Sequence, residues 1–272
     1  MASRSAPGVD GRKPDLFDKH IDEMPPHRAV LRAVEAKLMS KVSLRHPVLD
    51  IGAGDGHFAS VTYRELIDAG VDLRFRDLLV ARSRPGVYRL TSVASGTALP
   101  FRDGAFGTVL ANCVMEHIPD LEAALGEVSR VLAPGGLFAA TLPSEHFPDF
   151  LLGSSLFRFL HLPGLARVYG AFFNRISYHY HVYPLETWRT KLETAGLQIV
   201  EHRYYFSAAA HRALDLSHYL GVPTLLSHTL TGRWVLHPWL MAPFAWWLRR
   251  YYEEPFPQVG AYQFVLCHKI ER

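Results

Sequence analysis

The chain has 272 residues, 49% of them hydrophobic and 20% charged, with a net charge of +3 at pH 7. That balance suits a folded α/β chain with room for insertions and excludes a disordered or fibrous one. So weak a positive charge, without a Lys/Arg block, argues against a nucleic-acid partner, and Cys113 and Cys267, each inside an apolar run, read as buried free thiols of a reducing compartment.

Residues 1–13 are small and polar and lack the apolar core of a signal peptide, so a mobile tail and a cytoplasmic location are expected. Apolar residues recur at three- and four-residue steps over 26–42, the spacing of a helix. The run 47–51 is a buried strand entering glycines, 57–69 reads as a helix, and 70–73 as a strand ending in an acid. Next come a strand over 107–112, a helix over 121–132, a Pro-Gly-Gly turn at 134–136 and a strand over 137–142. Strands alternating with helices predict a parallel sheet covered on both faces, a Rossmann-like doubly wound α/β fold. The regular core thus covers 46–143, after an N-terminal region over 1–45. Residues 144–196 read as a cap insertion, aromatic and His-rich with no clear period, followed by a helix over 185–195 that Gly196 ends. Final strands are expected at 197–206 and 261–270, around an apolar insertion over 207–260.

The most informative feature is Asp50-Ile51-Gly52-Ala53-Gly54-Asp55-Gly56, glycines alternating between a strand and a helix. Glycine allows the close backbone approach that a nucleoside cofactor needs. A dinucleotide fingerprint would be G-x-G-x-x-G facing a pyrophosphate. Here the third glycine comes one residue early, and carboxylates at Asp50 and Asp55 would repel a pyrophosphate. A cofactor with a sulfonium and an amino acid tail meets no such repulsion. Asp72, at the end of the next strand, can accept the hydroxyls of a ribose.

Other elements follow in order: Ala98-Leu99-Pro100-Phe101-x-Asp103-x-x-Phe106, Glu116-His117-Ile118, and Glu127-x-x-Arg130-Val131-Leu132-x-Pro134-Gly135-Gly136. With the glycine turn and Val71-Asp72, they resemble the class I S-adenosylmethionine-dependent methyltransferases related to the ubiquinone/menaquinone-biosynthesis C-methyltransferases. The resemblance covers roughly 46–143, with 261–270 similar to the family's final strand. It implies a mostly parallel seven-stranded sheet with an antiparallel last strand, helical cap insertions and S-adenosylmethionine as cofactor. By the same resemblance Asp50, Gly52, Ala53 and Gly54 would line the methionine portion, Asp72 and Leu73 would hold ribose and adenine, and Asn112 would meet the cofactor. The family usually has Asp-Ala where this chain has Ser95-Gly96; Ser95 can hydrogen-bond adenine but brings no charge. Gly107 is a second departure. The helix over 26–42 would form a lid, with His27, Arg28 and Arg32 on it.

Methyl transfer to an alcohol, phenol or carbon acid needs a base, and histidine is the natural one near neutral pH. His179 and His181, in Tyr178-His179-Tyr180-His181-x-Tyr183, would point the same way on an extended segment. They are the catalytic candidates, with Tyr178, Tyr183 and His117 as acceptor contacts. No metal site is expected. Trp234, Trp239, Trp246 and Trp247 precede Arg249 and Arg250; this segment reads as a buried cap lining an apolar acceptor pocket, with peripheral membrane contact through 234–252 as the alternative. The expected activity is methyl transfer to a hydroxyl or carbon of a small apolar or lipid-linked acceptor. An NAD(P)-dependent oxidoreductase and an inactive methyltransferase-fold binding protein are the competing readings.

Overall fold

A computed structural model describes residues 14–270; the N-terminal tail expected over 1–13 lies outside them. Helices α1 (Leu16–Ile21) and α2 (Pro26–Met39) come first. Asp15 caps α1 by accepting from the backbone N–H of Phe17 and Asp18, and the Asp18 carboxylate accepts from the Asp15 N–H in return. The sheet then begins: β1 (Val48–Ile51), α3 (His57–Thr62), β2 (Ile67–Asp72), α4 (Phe75–Ser83), β3 (Tyr88–Val93), β4 (Phe106–Asn112), α5 (Leu121–Val131) and β5 (Leu132–Pro143). Between β5 and the next strand lie α6 (Phe147–Phe150), α7 (Leu152–Phe159), α8 (Pro163–Ile176) and α9 (Leu185–Thr194). The chain finishes with β6 (Leu197–Tyr205), α10 (Ala208–Leu220), α11 (Val222–Thr231), α12 (Ala242–Glu253) and β7 (Tyr262–Lys269).

The seven strands are ordered β3-β2-β1-β4-β5-β7-β6; β7 runs antiparallel to both neighbours and the other pairings are parallel. Side chains alternate across the strands, so Val48 joins one apolar core while Leu49 joins the other. Chain order reverses between β1 and β4, which opens a crevice at their carboxyl ends. Both insertions leave from that same edge: Pro143 pairs with Tyr262, and Tyr262 with Tyr205.

Two expectations needed correction. The helix after the glycine turn stops at Thr62, and the second strand begins at Ile67, where Asp68 accepts the Val48 N–H across the sheet. The Pro-Gly-Gly turn is absorbed into β5, with Gly135 at φ 64° and a register shift opposite Phe106 and Thr108. The cap is helical, as the family resemblance implied, although its sequence shows no period: α8 buries Ala166, Gly170 and Phe173 on one face but leaves Leu165, Val168 and Phe172 exposed on the other. Apolar residues on both faces erase the polar/apolar contrast that marks a helix in sequence.

Candidate cofactor and acceptor site

The glycine turn is pinned from behind. Gly52 and Ala53 both donate N–H to the Val71 carbonyl, at 2.8 and 3.0 Å. Gly52, Gly54 and Gly56 all have positive φ, where a Cβ is strained. At Gly52 a Cβ would stand 2.3 Å from a Val114 methyl. At Gly54 nothing nearer than a backbone oxygen at 4.0 Å would meet it, so a Cβ there would occupy the crevice itself.

Asp72 closes the turn. Its Oδ2 accepts the Gly54 N–H at 2.9 Å and its Oδ1 accepts the Arg74 N–H at 2.8 Å. A carboxylate offers about four lone-pair sites, so acceptor capacity remains on both oxygens. Asp50 lies deeper, buried, taking the Tyr88 hydroxyl at 2.5 Å. Burial pushes its carboxyl up to about 7, and neighbouring Asp72 adds to the rise. Leu73 is exposed just beyond Asp72, a free apolar ledge. Ser95 is turned into its own loop: its Oγ accepts the Thr97 N–H at 3.2 Å, and Gly96 packs where a Cβ would strike Ile118. The Asn112 side chain is spent on structure, donating to Glu35 Oε2 and accepting from the Thr141 hydroxyl, both at 2.8 Å.

The N-terminal helices reach over this turn. Glu23 faces His57 at 3.0 Å and Arg84 at 3.4 Å. A cavity of ≈ 640 Å³ lies between the glycine turn and this cover, lined among others by Met24, Arg28, Gly54, Asp55, Arg74 and Trp234. Of the three lid residues singled out, Arg28 lines it, Arg32 pairs with buried Glu35 at 2.6 Å, and the His27 ring packs at a tilt against that of His218.

A second group sits just past β4. Glu116 is buried with neither carboxylate oxygen hydrogen-bonded, and burial pushes it up to about 8. His117 Nδ1 is 3.1 Å from the Tyr178 carbonyl, so it donates there, and Nε2 faces Glu116 Oε1 at 3.8 Å. The His179 ring lies 5.4 Å from that of His117 and 4.8 Å from Phe147. Burial, then neighbouring His117, depresses His179 to about 3, which keeps it neutral. Glu116, His117 and His179 bring ligand-type atoms within 4.8 Å of one another, close enough to hold a shared substrate oxygen or a divalent cation. His181 takes a different direction: its two ring nitrogens meet the Tyr183 hydroxyl at 3.0 Å and the Ile118 carbonyl at 2.8 Å. The parallel orientation expected of the two histidines fails because the chain bends at Tyr180, between them, so the segment is not extended. Tyr178 is exposed, and Tyr183 packs on buried Trp188.

A methyltransferase-domain family model matches residues 49–140. The ubiquinone/menaquinone biosynthesis C-methyltransferase of Methylobacterium nodulans is 30% identical over 207 residues, 65% of this chain and 75% of the relative. The chain belongs to the class I S-adenosylmethionine-dependent methyltransferases. A malonyl-[acyl-carrier protein] O-methyltransferase of Geobacter sulfurreducens is 37% identical over 144 residues, 49% of this chain and 54% of that protein. The chain spans from about a third to under two thirds of the length of the first curated relatives it matches. A methyltransferase of Thermotoga maritima shares the fold, with TM-score 0.51 and 18% identity over 90% of this chain and 91% of its own.

For a methyltransferase the crevice suits the family's cofactor, S-adenosylmethionine. The open space at Gly54, the spare lone pairs of Asp72 and the absence of a G-x-G-x-x-G turn fit a nucleoside bearing an amino acid tail. Sequence reasoning missed Tyr88, which seats Asp50 from 38 positions away, and Glu35, which ties α2 to β4. Neither belongs to a local motif, so no signal in the sequence could have found them.

Proposed function

We propose that this chain transfers the methyl group of S-adenosylmethionine to a hydroxyl or carbon of a small apolar or lipid-linked acceptor. The observation that carries the reading is Asp72 closing the glycine turn through Gly54 while keeping acceptor capacity on both oxygens. Ribose hydroxyls would bind there, adenine against Leu73 and the loop of Ser95 and Gly96, and the methionine portion along Gly52, Ala53 and Gly54 toward Asp50. When bound, the cofactor supplies a carbon already activated by its sulfonium; the protein aligns the acceptor and excludes water.

On the acceptor side, His179 is the proton acceptor and His117 orients the acceptor oxygen, next to Glu116. Neutral His179 stays available as an acceptor across neutral pH, and negative charge developing on the acceptor raises its proton affinity. His181, held at both nitrogens, supports the loop carrying His179. Apolar surface on the insertions favours an apolar acceptor, and the exposed Trp239 and Trp246 favour membrane contact through 234–252 over a fully buried cap.

His179→Ala should lower kcat by about 10²-fold or more, the usual worth of a positioned base, with affinity for S-adenosylhomocysteine unchanged. Unchanged turnover would remove His179 from the reaction. A saturating dose of S-adenosylhomocysteine that leaves the Tm unmoved would defeat the methyltransferase reading itself.

Asp50 gives a pH test. Because its folded pKa is raised, the empty protein holds a proton there up to about 7 and loses stability as pH climbs from the ordinary carboxylate range through that value. An ammonium group placed beside Asp50 favours the charged form. Binding of S-adenosylhomocysteine near pH 6 should therefore release a proton, seen by calorimetry in two buffers of different ionisation enthalpy. Asp50→Asn should abolish that release; release persisting in the variant would assign it to another group.

A further inference from the structure

Residues 150–185 and 216–252 contain six arginines and neither aspartate nor glutamate, although the chain has 26 acidic residues. They form the central parts of the two insertions at the carboxyl edge of the sheet, with Asp149, Glu186, Asp215 and Glu253 at their borders; Arg158 pairs with Asp149 and Arg249 with Asp15 and Asp18. The helices of these insertions expose apolar side chains in stripes. On α7, Leu156, Phe159 and Leu160 share one side; Phe159 is 78% exposed. On α8, Leu165, Val168, Phe172 and Ile176 follow at three- and four-residue steps, opposite the buried face. Leu230 on α11 and Trp246 on α12 are 74% and 82% exposed. The Tyr169 hydroxyl meets that of Tyr219 at 2.8 Å, joining α8 to the end of α10 where Leu216 and Leu220 are exposed.

So much exposed apolar surface on one element pair marks a contact face, and its charge identifies the partner. Arg167 and Arg175 on α8 form no ion pair with any described residue and stand on exposed positions beside the apolar stripe. Arg233, at the end of α11, is likewise free of an acidic partner among the described residues. Amphipathic helices with basic residues and aromatic anchors lie in the headgroup region of a bilayer, drawn there by anionic lipid. No helix among the described residues is long and apolar enough to cross a membrane, so contact is confined to one leaflet.

We propose that the α7–α8 hairpin, extended by the end of α10 and by α11, docks this chain onto the surface of an anionic lipid bilayer. The inference deepens the apolar-acceptor reading and rests on it for the purpose of docking; binding itself requires no methyl transfer.

Flotation of the purified chain with vesicles tests it. Binding to phosphatidylcholine vesicles containing phosphatidylglycerol should exceed binding to pure phosphatidylcholine and weaken with salt. Arg167→Gln and Arg175→Gln should each lower partitioning into anionic vesicles about fivefold, the worth of one basic residue at such a surface. Phe159→Glu and Phe172→Glu change exposed positions, so S-adenosylhomocysteine binding should persist while partitioning falls about tenfold or more. Vesicle binding no greater than in these variants, with cofactor binding intact, overturns the docking surface and leaves the methyltransferase reading standing. A dimer in light scattering that Phe159→Glu dissociates also overturns it, because a second copy would then cover the face. Loss of cofactor binding with vesicle binding retained defeats the activity alone.

Discussion

Glu35→Ala should destabilise the protein by about 3 kcal/mol, toward the low end of the cost of breaking a buried ion pair, because Glu35 is buried while its partner Arg32 is part-exposed. Glu35 is buried inside α2 and holds four groups at once. Arg32 pairs with it at 2.6 Å, Asn112 donates at 2.8 Å, and the Cys113 thiol and Tyr205 hydroxyl donate at 3.1 and 3.2 Å. Those donors come from the lid helix, the end of β4 and the end of β6. Alanine would leave all four donors without this partner, two of them, Cys113 and Tyr205, buried. Glu35→Gln keeps the shape and one acceptor oxygen and should recover part of the loss. Urea unfolding of the three proteins checks the order; a deficit under about 1 kcal/mol for alanine would show that water replaces the carboxylate.

Asp72→Ala should weaken S-adenosylhomocysteine binding by about 1.5–3 kcal/mol, between about tenfold and a hundredfold or somewhat more in Kd. Two effects combine. The ribose loses a charged acceptor, and the Gly54 N–H loses the oxygen that holds the turn. Asp72→Asn separates them, since its amide oxygen can still accept from Gly54 while the charge is gone. Calorimetric titration reads both, and wild-type affinity in the alanine variant would remove Asp72 from the ribose.

What was legible in the sequence was local. The alternation of strands and helices, the glycine turn and the acid ending the second strand each occupy a few consecutive residues and emerge in the fold as β1, β2 and the turn between them. Strand β3 escaped because its residues are half-exposed with polar and apolar types mixed, Tyr88-Arg89-Leu90-Thr91-Ser92-Val93, at the sheet edge. With it went Tyr88 and its bond to Asp50. On the side proposed for the acceptor, His179 and His117 were both legible as candidates, but they belong to separate segments that only the fold brings to 5.4 Å, whereas the pairing of His179 with His181 rested on proximity in sequence. Glu35 has one local partner, Arg32, but its other partners lie 77 to 170 residues away and leave no trace in spacing.

The two insertions also lean on each other. Asp215 of α10 accepts the Leu152 N–H at 2.9 Å at the start of α7, and the Tyr169 hydroxyl of α8 at 3.0 Å. Both insertions also pack into the core that holds Val48, Leu110 and Ala139 of the sheet. Neither segment can therefore be inherited or grafted easily without the other, since either alone would arrive with its hydrogen-bonding counterpart missing.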